Sequence, residues 1–161
     1  MKTNSIEGVR IIEPDYFTDY RGDLWTLWKS GDHDLRFNHD KVSTSRKHVL
    51  RGIHGDSKSW KLVTCLHGDL YFVLVDNRRN SLTYRRWQSL ILDSKKRKQV
   101  LIPPMVGNGF LVLSDESVFH YKWSYIGDYP DVDKQFTIKW NDPTVNINWP
   151  INNPILQLRD K

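Results

Sequence analysis

The chain has 161 residues, 39% of them hydrophobic, and no apolar run near the ~20 residues that a membrane-spanning helix needs, so the expectation is one domain over residues 1–161 with a buried core and no membrane contact. Lys and Arg outnumber Asp and Glu by 24 to 19, a formal charge of +5 that favours an anionic partner without naming one. A single cysteine, Cys65, excludes an intrachain disulfide, and the start MKTNSIEGVRII lacks the apolar stretch and cleavage site of a secretory signal, so the cytoplasm is the expected compartment.

Short runs rich in β-branched and aromatic residues recur between turn signals, and little of the chain carries a helical period. In order they are VRII, LWTLW, FNHDKVS, VLRGI, KLVTCLHG, LYFVLVD, RWQSLIL, QVLIP, FLVLS, VFHYKWS, QFTIKW and VNINW. His67-Gly68-Asp69, set between KLVTCL and LYFVLV, predicts a hairpin turn, and Cys65 inside LVTCL reads as a small buried hydrophobe. The densest basic run, KKRK from Lys95 to Lys98, follows LDS and precedes QVLIP, so it predicts a solvated turn. Nothing in the sequence forms a recognition helix or an RNA-binding aromatic signature, and no nucleic-acid partner is expected. That many short strands imply a sandwich, jelly roll or closed barrel, whose interior has room for a small ligand.

The stretch VLRGIHGDSKSWK, Val49 to Lys61, carries the most chemistry. It brings Arg51, His54 and Lys61 into one β-rich segment: an anion clamp, a general base and an electrophile, which together suit proton abstraction beside a carbonyl. A regular strand would aim Arg51 and His54 at opposite faces, so Gly52 or Gly55 must break the alternation by a bulge or bend.

The ordered motifs RG, VLRGIH, KLV, VD followed by R, S and T, IPP, GF, YK, WNDP, INWP, PIL and RD resemble the dTDP-4-dehydrorhamnose 3,5-epimerase family over nearly the whole chain, Val9 to Asp160. These are cupins acting on nucleotide-linked 4-keto sugars. FNHDK, RGIHGD with KLVTC, Gly107-Asn108 and DKQFT look closer to a branch that handles GDP-linked 4-keto heptoses for bacterial surface polysaccharides. The resemblance implies an all-β cupin jelly-roll barrel with few or no helices, and an isomerase that epimerises carbon 3 and/or carbon 5 of a GDP- or dTDP-linked 4-keto sugar. It also implies a homodimer in which an N-terminal strand crosses to the partner barrel; VRII and LWTLW are the segments expected to supply its apolar surface.

Carried over by motif, the resemblance makes His54 the general base and Asp160 its carboxylate partner. Tyr121, in HYKW, becomes the acid on the opposite face, and Lys61 the cation beside the keto oxygen. A carboxylate on one ring nitrogen fixes the imidazole tautomer and raises the basicity of the other nitrogen. In a strand, Phe119, Tyr121 and Trp123 share one face, so the alternative for Tyr121 is a core tyrosine. Arg21 and Arg51 match arginines that bind the diphosphate or the sugar near it, a task suited to guanidinium forks.

Several positions depart from the rhamnose-pathway pattern: Thr26 replaces a glutamate, His39 and Lys41 replace glutamine and asparagine, and Asn108 stands where a histidine would fall. His39, Lys41, Ser43 and Ser45 alternate along one strand face and form a polar, cationic wall if turned inward. Asn108 can hydrogen-bond a substrate oxygen but cannot carry a proton. The usual cupin metal site wants an HxH pair, whereas here His54 precedes Gly55-Asp56 and the second-strand position is Asn108, so neither metal nor redox cofactor is expected. Two rivals remain: a sugar-nucleotide 3,4-ketoisomerase on the same barrel, and a non-catalytic sugar- or nucleic-acid-binding barrel, which gains if His54, Asp160 and Tyr121 do not surround one pocket.

Overall fold

The structure, a computed structural model, describes residues 5–161. Its strands in chain order are β1 (Arg10–Ile12), β2 (Tyr16–Asp19), β3 (Gly22–Trp25), β4 (His39–Arg46), β5 (Leu50–Gly55), β6 (Trp60–His67), β7 (Asp69–Asp76), β8 (Trp87–Asp93), β9 (Gln99–Ile102), β10 (Val106–Val112), β11 (Glu116–Ser124) and β12 (Phe136–Thr137). Two five-stranded sheets, ordered β1-β9-β6-β11-β4 and β12-β5-β10-β7-β8, face one another, and β2 with β3 forms a separate hairpin. Helical structure among the described residues is confined to single 3-10 turns at Asp32–Asp34, Val132–Lys134 and Leu158–Asp160, as the all-β jelly-roll expectation requires.

The core between the sheets is built by alternation. Val63 and Cys65 on β6, Val100 and Ile102 on β9 and Phe119 on β11 meet Leu70, Phe72 and Leu74 on β7 and Phe110 on β10. Phe119 is the pivot, with ring centroids 4.6 Å from Phe110 and 5.7 Å from Phe72. Each such fully buried ring contributes about 1.5–3 kcal/mol of transfer free energy. The opposite face of the second sheet is covered too: Val73, Val75 and Leu111 pack under Ile138, Val145 and Trp149 of the C-terminal segment. That double cover explains why LYFVLV is apolar at every position rather than at alternate ones.

Three expected elements differ. KLVTCL and LYFVLV do not form a hairpin, because β6 and β7 belong to different sheets and the chain jumps between them at Gly68. Gly68 has φ 76°, and a Cβ there would come within 2.2 Å of the Glu116 carbonyl, so the corner needs glycine. VNINW is no strand: Val145 and Asn146 both donate backbone N–H bonds to the Asp142 carbonyl, which curls the segment into a turn. LWTLW ends as a strand at Trp25, because its partner β2 starts only after Pro14 and offers four residues to pair with. Trp28 instead packs edge-on against Phe37, 5.9 Å away. VRII forms β1, which pairs with β9 of the same chain. KKRK does occupy the turn between β8 and β9.

Candidate active site

Along β5 the pairing with β10 slips by one residue: His54 faces Asn108 while Arg51 faces Phe110. The extra residue lies at Gly52-Ile53, where Gly52 has φ 118° and a Cβ would come within 2.5 Å of the Gly109 Cα. This bulge turns both Arg51 and His54 toward one cavity of about 290 Å³. Tyr121 and Lys61, from β11 and β6 of the facing sheet, line the same cavity, as do Lys41, Ser43 and Asn108.

Asp160 is 106 residues from His54 in sequence, yet its Oδ1 accepts a hydrogen bond from His54 Nε2 at 2.6 Å. The C-terminal tail makes this possible. Leu50 donates its N–H to the Ile155 carbonyl and Ile155 donates to the His48 carbonyl, tying the tail to the start of β5, and the final 3-10 turn then delivers Asp160. With Nε2 donating to a fully buried carboxylate, Nδ1 of the ring is the nitrogen left to accept a proton.

Tyr121 lies edge-on to Phe119 at 4.5 Å, so its ring is part of the core while its hydroxyl end reaches the cavity. Burial pushes its phenol up to about 12, against a smaller opposing pull from Ser43 and Arg51, which keeps it protonated across the working range. Lys61 is pushed down to about 8 by burial, with the nearby Asp56 carboxylate opposing and Arg159 reinforcing that shift. Arg51 Nε donates to Ser45 Oγ at 2.9 Å, and Lys41 Nζ donates to Tyr129 Oη at 2.6 Å. The cationic wall expected on β4 therefore faces inward at Lys41 and Ser43. His39 stands behind it, with Nδ1 3.1 Å from Tyr125 Oη and its ring 4.5 Å from that of Tyr129.

Arg21 is not brought in. It sits at the tip of the β2–β3 hairpin, 73% exposed and paired with Asp19 at 2.5 Å, outside the cavity of its own chain. Conversely, Arg159 lines the cavity without having been anticipated, held by Thr137 Oγ1 at 3.2 Å and Gln135 Oε1 at 3.1 Å. Its signal was adjacency: a 3-10 turn that delivers Asp160 carries residue 159 with it. Tyr129 and Asp131, at the other rim, were missed as well. Four cations, Lys41, Arg51, Lys61 and Arg159, thus surround one small cavity whose nearby carboxylates are Asp131 at the rim, Asp160 behind His54 and Asp56 behind Lys61, an electrostatic setting that draws in a multiply charged anion. Among the described residues no three His, Cys, Asp or Glu side chains are grouped to hold a metal ion.

A jelly roll that sets an imidazole on one sheet, backed by a carboxylate from the C-terminal turn, across from a phenol and an ammonium on the other is built for proton transfer to and from a small ligand, and relatives narrow the class. The family model of dTDP-4-dehydrorhamnose 3,5-epimerase matches residues 3–161. The dTDP-4-dehydrorhamnose 3,5-epimerases of Methanothermobacter thermautotrophicus and Escherichia coli are each 36% identical over 154 residues, covering 91% and 90% of this chain and 82% of either relative. Among solved structures, a 4-keto-6-deoxy sugar epimerase of Streptomyces spheroides superposes with a TM-score of 0.89 at 34% identity, over 96% of this chain and 81% of its own. The Legionella pneumophila dTDP-6-deoxy-D-glucose-3,5-epimerase, in complex with dTDP-4-keto-L-rhamnose, gives 0.88 at 34% identity, over 96% and 86%. The chain belongs to the dTDP-4-dehydrorhamnose 3,5-epimerase family, and is an isomerase of the racemase and epimerase type.

Proposed function

We propose that the cavity epimerises a nucleoside-diphosphate 4-keto sugar at carbon 3, carbon 5 or both, through an enolate. His54 Nδ1, oriented by Asp160 behind Nε2, removes the proton beside the ketone. The electron pair moves onto the carbonyl oxygen, where the Lys61 ammonium and the Asn108 amide stabilise it. Tyr121 then donates its hydroxyl proton to the carbon from the opposite face. The observation that carries this reading is the placement of His54 and Tyr121 on facing sheets around one cavity, with Asp160 2.6 Å behind the imidazole. A diphosphate fits the cations Arg51, Lys41 and Arg159, and fixing it there orients the sugar for attack. Solvent-deuterium incorporation into a panel of GDP- and dTDP-linked 4-keto sugars, read by mass and NMR, tests the proposal. Deuterium at carbon 3 or 5 with inverted configuration is expected; its absence from every substrate overturns it.

The finer reading is a GDP-linked sugar, on the strength of Lys41, His39 and Asn108 at places where the rhamnose-pathway pattern has other residues. We further read residues 1–161 as one domain acting in the cytoplasm as a homodimer. No helix among the described residues is long and apolar enough to cross a membrane. Tyr16, Phe17 and Leu24 on the β2–β3 hairpin are each more than half exposed, apolar surface that a second copy would cover. The same docking would carry Arg21, at the hairpin tip, toward the partner barrel.

A further inference from the structure

An enolate forming at Lys61 needs a charged ammonium, and burial works against that charge. Lys61 is 3% exposed. Two charges act on it: Asp56, from the loop after β5, favours its protonation and Arg159, from the C-terminal turn, disfavours it. Its cross-strand neighbours, Trp123 on β11 and Ile102 on β9, carry no charge. The remaining charged and titratable groups around the cavity are His54 and Arg51 on β5, Asp160 behind His54, Lys41 on β4, Tyr121 on β11, and Tyr129 and Asp131 beyond it.

Asp56 is held rigidly. Its Oδ1 accepts the N–H groups of Lys58 at 3.0 Å and Ser59 at 2.7 Å, and its own carbonyl accepts from Met105 at 2.8 Å. Those bonds leave Oδ2 buried with no hydrogen-bond partner, 3.6 Å from Lys61 Nζ. On its other side the ammonium lies 4.5 Å from the centre of the Trp123 ring. A buried, unbonded carboxylate oxygen is costly unless charge attraction offsets it. The turn would close as well on an amide oxygen, so the charge of Asp56 answers no need of the local fold.

We propose that Asp56 is a positioning residue for the epimerisation, its free oxygen keeping Lys61 a cation against the Trp123 face with its protons available to the cavity. The enolate half of this inference rests on the proposed function; the hold of Asp56 on Lys61 does not.

Asp56→Asn keeps the turn-forming oxygen and removes only the charge. Titration of isotopically labelled lysine, followed by NMR in the full chain, is expected to show the Lys61 midpoint lowered by about one unit or more in the variant. Turnover of dTDP- and GDP-linked 4-keto sugars is expected to fall roughly 10- to 100-fold at pH 8 through kcat, with KM within about twofold, and the deficit to shrink as pH is lowered. Asp56→Glu restores the charge but not the turn, so it should raise the Lys61 midpoint again while melting at a lower temperature. An Asp56→Asn protein whose Lys61 midpoint is unmoved overturns the proposal, whatever its activity. If the midpoint moves but the wild type turns over none of the sugars, the proposed function fails and the hold of Asp56 on Lys61 stands.

Discussion

At the scale of single residues the site divides into groups that move protons and groups that hold charge. His54→Asn removes the base while keeping a small polar side chain opposite Asp160, and turnover should fall by about 100- to 10,000-fold, the usual worth of a positioned base. Deuterium exchange into substrate is the direct readout; near wild-type exchange would take His54 out of the mechanism. Tyr121→Phe keeps the edge-on packing against Phe119 and deletes the hydroxyl. Product formation should then fall further than loss of the substrate's original proton, since abstraction precedes the step that Tyr121 serves. Equal declines, measured in one reaction by mass and chirality, would mean that the tyrosine is structural or acts earlier.

At the scale of elements, charge also secures the fold, and Asp76 at the end of β7 is the clearest case. Burial alone would raise its carboxyl, but bonds from Arg78, Ser81 and Thr83 outweigh that and hold it at about 2. Because the folded value lies below the unfolded one, the stabilisation is complete above the ordinary carboxylate range and is lost as pH falls from about 4 through about 2. Asp76→Asn should therefore cost about 2 kcal/mol at neutral pH, with the gap to wild type closing in acid, as chemical denaturation at stepped pH would record. β7 could be read from sequence because its continuous apolar run answers to cover on both faces. The Gly68 corner could not, since a glycine between two strands looks the same whether the chain folds back in one sheet or jumps to the next. VNINW has strand-like residues, but two bonds to the Asp142 carbonyl outweigh a local β preference. In the site, Arg51, His54 and Lys61 stood together in one segment and a glycine bulge was required on geometric grounds alone. Arg159 stayed hidden because only the path of the tail puts it near the cavity, and the motif that holds Arg21 says nothing about which barrel its hairpin serves.

At the scale of the whole molecule, the exposed apolar hairpin and the cation-lined cavity make separate demands. Light scattering at micromolar concentration should give twice the chain mass, and a monomer would leave Tyr16, Phe17 and Leu24 without the second copy proposed to cover them. Ligand linkage probes the nucleotide: a molecule bound only to the folded state raises the melting temperature with the logarithm of its saturation. GDP should protect better than dTDP at equal concentration. Equal or better protection by dTDP would return the chain to a rhamnose-type substrate with an altered pocket.

The attachment of the tail has a thermal consequence. Asp160 is kept beside His54 by a final turn fastened through two backbone bonds at Ile155, the packing of Leu156 and the Arg159 bonds to Thr137 and Gln135, whereas the barrel is held by ten paired strands and the core between its sheets. Segments so lightly tied open at far less free energy than the global transition. Each such opening frees the imidazole to rotate and strands the carboxylate in water, so on warming, activity is expected to be lost at a lower temperature than the barrel's own melting, as parallel activity and circular-dichroism melts would record. The ceiling on useful temperature is set by a few terminal residues, and stitching them down more firmly would raise it without touching a strand.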